Sequence, residues 1–193
     1  MAAKKETPPG AQVDADGLVV QKYRSLVLLV VPPRDYGEEC LRYTRSSLYN
    51  VHVGTRSVSS EANELIKGRH QDEFMVDELL AAASMDSFSG VVFVGGEGAL
   101  ALAEDPDVLR LAREATQRKK LLGAWGHALA ILARAGVLKG KRVTGHPAVK
   151  NLLVQAGAKY TGRQVESDGS LVTGLDDAAG MRFGKALAAI VGI

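Results

Sequence analysis

The chain of 193 residues has one cysteine, Cys40, which excludes an internal disulfide framework. It has little excess charge of either sign. The 24 basic and 22 acidic residues leave a net +2, too balanced to select a nucleic-acid or membrane partner by bulk charge. It lacks a long hydrophobic run: the longest, Leu26 to Val31, ends at Pro32 and Pro33, far short of the ~20 residues that a membrane helix needs. The opening residues, Met1 to Pro9, have no apolar core of a secretory signal, so a cytoplasmic protein is expected. Aromatics are scarce at 5%, whereas glycine supplies 21 residues, a composition suited to helices packed closely on a sheet. The 46% hydrophobic content is that of a folded domain and excludes a mostly disordered chain.

The order of elements is more informative. Residues 1–23 have no periodicity and read as a flexible N-terminal arm; residues 24–193 read as one domain. Leu26 to Val31 is a continuous apolar run, the pattern of a strand buried on both faces of a parallel sheet. Helical spacing follows from Glu38 to Leu48, then a short strand at Val51-His52-Val53. Residues 55–76 carry no clear pattern, and Asp77 to Ala83 reads as a helix. Val91 to Val94 is a third strand, running into Gly95-Gly96-Glu97-Gly98. Asp105 caps a helix with Pro106 at its first position, and Val108, Leu111, Ala112 and Ala115 form its apolar face. Leu121 to Ala124 is a fourth strand, followed by a helix from Ala128 to Ala135. Arg142 to Thr144 is a short strand, Pro147 to about Gln155 a helix, and Asp168-Gly169 the centre of a hairpin. The last helix runs from about Asp177 to Val191. Alternating strands and helices predict a three-layer α/β/α sandwich with a mostly parallel sheet.

In such a sheet, ligands bind beyond the carboxyl ends of the strands. The turn Gly123-Ala124-Trp125-Gly126-His127 reads as a sharp elbow with Trp125 at its apex. The N–H of Gly126, with a second from Gly96 or Glu97, would make an oxyanion hole. Indole is no nucleophile, so Trp125 reads as a pocket filler. Cys40 is a poor substitute, because Glu38 and Glu39 beside it would raise its pKa. His127 and His146 are candidate acid–base groups. His52, His70, His127 and His146 lack metal-ligand spacing, so no metal is expected. The glycine loop fits no nucleotide motif, and the basic runs Arg118 to Lys120 and Lys139 to Arg142 read as solvated faces.

From Val91 onward the sequence resembles the ThiJ/PfpI superfamily, and most of all its PfpI branch. The resemblance rests on Val91 to Gly96, Asp105-Pro106, Gly136 to Gly145, Pro147 to Lys150 and Asp168 to Thr173. It implies a flavodoxin-like fold and a homodimer or higher homo-oligomer, with no cofactor. The family's activities include cysteine peptidase or amidase chemistry and glyoxalase-type chemistry on small dicarbonyls. All use an elbow cysteine hydrogen-bonded to a glutamate from the turn after the first strand. Here that alignment puts Trp125 at the cysteine position and Gly126 where the PfpI-type histidine follows it. His146, before Pro147, matches a histidine of some members, and the glutamate falls at Glu38 or Glu39. The resemblance therefore implies a member without the family nucleophile, binding a small molecule or serving a structural role. The alternative is an enzyme using Glu38 or Glu39 with His146 as acid and base on a small carbonyl substrate.

Overall fold

A computed structural model describes residues 11–13, 19–21, 23–61 and 65–192. Two short strands, β1 (Ala11–Val13) and β2 (Val19–Gln21), pair antiparallel inside the segment read as an arm; the rest of residues 1–22 lies outside the described residues. Then come β3 (Ser25–Val30), β4 (Arg34–Tyr36), α1 (Glu38–Tyr49) and β5 (Val53–Ser59). The stretch without sequence pattern holds the end of β5 and a hairpin of β6 (Leu65–Gly68) and β7 (Glu73–Met75). β8 (Glu78–Leu79), β9 (Gly90–Phe93), α2 (Ala99–Leu102), α3 (Pro106–Gln117) and β10 (Leu121–Trp125) follow. The remainder is α4 (Leu129–Ala135), β11 (Arg142–Val143), α5 (Lys150–Gln155), β12 (Lys159–Tyr160), β13 (Val165–Asp168), β14 (Leu171–Gly174) and α6 (Gly180–Val191).

The main sheet has seven strands in the order β13-β14-β10-β9-β3-β5-β8, parallel throughout except for the β13–β14 hairpin. The continuous apolar runs of β3, β9 and β10 are buried on both faces, which is why they do not alternate. One face packs under α1 and α6, the other under α3 and α4. From β3 the chain moves outward to β5 and β8, then returns to the other side of β3 at β9. That reversal opens a crevice beyond the carboxyl ends of β3 and β9, with β10 beside it.

Three local expectations are corrected. Val51 and His52 are a turn, and the strand starts at Val53. Asp77 to Ala83 is not a helix: Glu78–Leu79 pairs with Val58 and Ser59 as an edge strand, and one 3-10 turn follows. Seven residues nucleate a helix poorly, and a sheet edge offers backbone partners at once. In the hairpin, Asp168 pairs with Leu171, so the two-residue loop is Gly169-Ser170 rather than Asp168-Gly169.

Candidate functional site at the elbow

The elbow sits one residue later than the spacing suggested. Trp125 is the last residue of β10, and its side chain is 1% exposed. Alternation along the strand sends Leu121 and Trp125 into the α1–α6 layer, where the indole meets Phe183 edge-on at 5.4 Å between ring centroids. Gly37, Gly95 and Gly174 shape its slot: a Cβ on Gly95 would lie 2.6 Å from the indole Nε1, and one on Gly174 2.9 Å from the Trp125 Cβ. Among the described residues the Nε1–H has no hydrogen-bond partner. Trp125 is therefore core, not an exposed apex.

The residue that turns the chain is Gly126. Its φ is +60°, a left-handed conformation unfavourable to most side chains. Gly126 is itself buried, but a Cβ there would find its nearest neighbour, the Asp176 Cα, at 4.0 Å, so the turn has room for a small side chain. His127 follows at once in a 3-10 turn leading into α4. Its ring stacks on His146 with centroids 4.1 Å apart and planes 25° apart. A strap after β11 brings His146 there. Its backbone N–H donates to the Gly126 carbonyl at 3.3 Å, Thr144 N–H donates to Thr173 Oγ1, and the Tyr160 hydroxyl donates to the Gly145 carbonyl. His146 Nδ1 accepts from Ala148 N–H, which leaves Nε2 as the protonated nitrogen of the neutral ring.

Burial and the neighbouring imidazole of His146 pull the pKa of His127 below its ordinary value; Glu97 acts in the opposite direction and Arg69 in the same one. The carboxylate whose charge acts on His127 is Glu97, an exposed residue of the glycine loop. That loop is tied to the turn after β3: Tyr36 bridges to Gly96, and Gly37 N–H donates to the Gly95 carbonyl at 2.7 Å. Gly96, Glu97, Gly126, His127 and His146 thus frame one end of the sheet.

Among the described residues neither candidate glutamate forms a hydrogen bond or ion pair with the histidines of the elbow. Glu38 opens α1 and is buried, with Oε1 accepting from the N–H groups of His70 and Asp72 at 2.7 and 3.1 Å. It lines a groove beside α1 that contains neither Gly126 nor either histidine of the elbow. Glu39 is exposed. The carboxylate–histidine pairing expected between Glu38 or Glu39 and His146 is not among the contacts formed. Asp177 was missed by spacing: it caps α1 from 137 residues away, accepting from Glu39 N–H at 3.2 Å and Cys40 N–H at 2.9 Å. Cys40 is fully buried, and burial followed by the charge of Asp177 raises its pKa well above the usual thiol value. Among the described residues no three metal-ligating side chains cluster, and no helix is long and apolar enough to cross a membrane.

The DJ-1/PfpI family model matches residues 27–190. The chain belongs to the DJ-1/PfpI family. It is 30% identical over 150 residues to an uncharacterized protein of Methanocaldococcus jannaschii, covering 76% of this chain and 73% of that one. A deglycase of Pyrococcus abyssi is 28% identical over 116 residues, 60% of this chain and 70% of its own. Among solved structures, DJ-1beta of Drosophila melanogaster superposes with a TM-score of 0.77 at 26% identity, covering 88% and 92% of the two chains. A ThiJ/PfpI domain protein of Brachyspira murdochii gives 0.82 at 22% identity, with 86% and 95% covered, and supports the flavodoxin-like fold.

Within the DJ-1/PfpI frame the one-residue shift has a chemical consequence. With Gly126 at the apex, the next residue is His127, so a histidine follows the turn, as in the PfpI pattern. The alignment that placed Trp125 at the apex had put a glycine there.

Proposed function

We propose that this chain is a DJ-1/PfpI-family protein that binds a small carbonyl or carboxylate compound at the elbow without covalent catalysis. The observation that carries the reading is Gly126: the left-handed residue of the turn has no side chain, although there is room for one. A covalent mechanism needs an activated side chain at that point. The chain's one thiol, Cys40, is buried in α1 with its protonated form favoured. The ring N–H groups of His127 and His146 and the charge of Arg69, opposed by that of Glu97, suit a guest bearing a carbonyl or carboxylate acceptor.

The test assays the purified chain and its Cys40→Ala variant on dicarbonyl-modified, peptide and amide substrates. Neither is expected to turn over any of them. Turnover that disappears in the variant overturns the reading. Glyoxylate, which joins a carbonyl to a carboxylate, is expected to raise the Tm of the parent chain but not of His127→Ala/His146→Ala.

A second reading is favoured by one observation. His127 is held neutral at neutral pH beside a second imidazole, the state of a general base. The family includes proteins named deglycase and isonitrile hydratase. On this reading the pair enolises or hydrates a small substrate, and His146→Ala abolishes the rate and its pH dependence. A rate indifferent to that change removes it.

We also propose that the chain self-associates. Leu65 and Met75, paired across β6 and β7, and Leu79 on the edge strand β8 are all exposed apolar side chains. A strict monomer in sedimentation would refute this.

A further inference from the structure

A second candidate site lies away from the elbow, along α1. Arg42 and Arg45 are spaced i,i+3 and share one face of the helix, with Tyr49 one turn further on. Both arginines are exposed, and among the described residues neither forms an ion pair. The Arg45 guanidinium lies 5.2 Å from the centroid of the Phe74 ring, contributed by β7. Tyr23 meets Tyr49 edge-on at 6.2 Å, and both rings are partly exposed at 39% and 50%. Between these groups lies a groove of about 530 Å³, within the range of small-molecule sites. Asp72 and Glu73, at the end of the β6–β7 hairpin, also line it.

We propose that this groove binds a planar heteroaromatic phosphate the size of a nucleoside monophosphate. The two arginines, the three aromatic rings, Asp72 and Glu73 each have a counterpart in that ligand, whereas Glu38, which also lines the groove, is engaged through Oε1 by the N–H groups of His70 and Asp72. The two guanidinium forks match phosphate oxygens. Tyr23, Tyr49 and Phe74 offer faces and edges to a ring. Asp72 and Glu73 accept from N–H donors such as the exocyclic amine of a purine, and they repel a second anion. The mixed charge of the groove selects a ligand with an anionic end and a donor end. The elbow residues do not line it, so the inference is independent of the function proposed above.

The experiment is calorimetric titration of the full chain with adenosine monophosphate, adenosine and inorganic phosphate. The monophosphate is expected to bind most tightly. Arg42→Ala/Arg45→Ala should weaken it by at least about tenfold. Tyr49→Ala should weaken it by about two- to tenfold. Arg42→Lys/Arg45→Lys, which keeps charge but loses the fork, should fall between parent and double alanine. His127→Ala should leave this binding unchanged, which separates the groove from the elbow. All four side chains lie outside the buried core, and far-UV circular dichroism checks that each variant folds. Three outcomes overturn the proposal: no binding at millimolar ligand, whether or not a second copy covers the groove; binding insensitive to the arginines; or inorganic phosphate binding as tightly as the nucleotide.

Discussion

The elbow and the start of α1 divide between them what a covalent catalyst would need in one place. The elbow has room: a Cβ on Gly126 would meet nothing closer than 4.0 Å, and two stacked, half-buried imidazoles stand nearby. The start of α1 has the thiol and the buried carboxylate, but both are committed to structure. Cys40 packs in the α1–α6 layer, and Glu38 holds the backbone of the β6–β7 turn. Reactivity depends on coincidence in space as well as on inventory. Here, among the described residues, the groups that could react are tied up in the scaffold and form no hydrogen bond or ion pair with the histidines of the elbow.

That contrast can be broken at several points. The largest effect is expected from Trp125→Ala, which empties a slot at the boundary of the two regions and should destabilise the fold by about 3–5 kcal/mol in denaturant titration. A loss below about 1 kcal/mol would mean that the indole is not core. Next, thiols placed one residue apart separate apex from strand. Gly126→Cys should be alkylated by iodoacetamide on the order of 10³ times faster than native Cys40, which reacts only through opening of the core. Trp125→Cys should be as slow as Cys40. Equal rates at 125 and 126 would sink the assignment of the apex. Gly126→Cys should also lower stability by about 1–2 kcal/mol, because a side chain is placed at positive φ.

A smaller effect is expected at the start of α1. Asp177→Ala removes the remote cap of α1 and should lower stability by about 1 kcal/mol without altering ligand binding at the elbow. The smallest effect concerns pH. The folded pKa of His127 is depressed, so between that value and the ordinary 6.5 the unfolded chain holds more protons than the folded one. Stability should therefore fall as pH drops through 6.5, then level off once His127 is protonated in the folded state. His127→Gln should flatten that part of the stability profile. Identical slopes for parent and variant between pH 7 and 5 would refute it.

Several elements of this division are legible in the primary structure. Asp105-Pro106 caps α3 through Asp105 Oδ1, which accepts from Asp107 N–H and Val108 N–H, because both signals act within one turn. The runs Leu26 to Val31 and Val91 to Val94 identify buried parallel strands because both faces are covered. The apex was harder to place. Trp125 and Gly126 are adjacent, and the composition of the turn alone does not say where the strand ends. Parallel pairing of Trp125 with Gly174 across β10 and β14 holds the tryptophan in the sheet and passes the turn to the glycine. A one-residue difference in register exchanges core for cleft.

Local chemistry written along the chain thus determined the layers, the main strands, the α3 cap and the family. Tertiary structure decided the apex, the engagement of Glu38 by the β6–β7 turn, the meeting of His127 with His146 and the capping of α1 by Asp177. The physical reason is range. Periodicity and capping act over one or two turns of chain, whereas a site is made by side chains brought together across the sheet by packing that no single segment encodes.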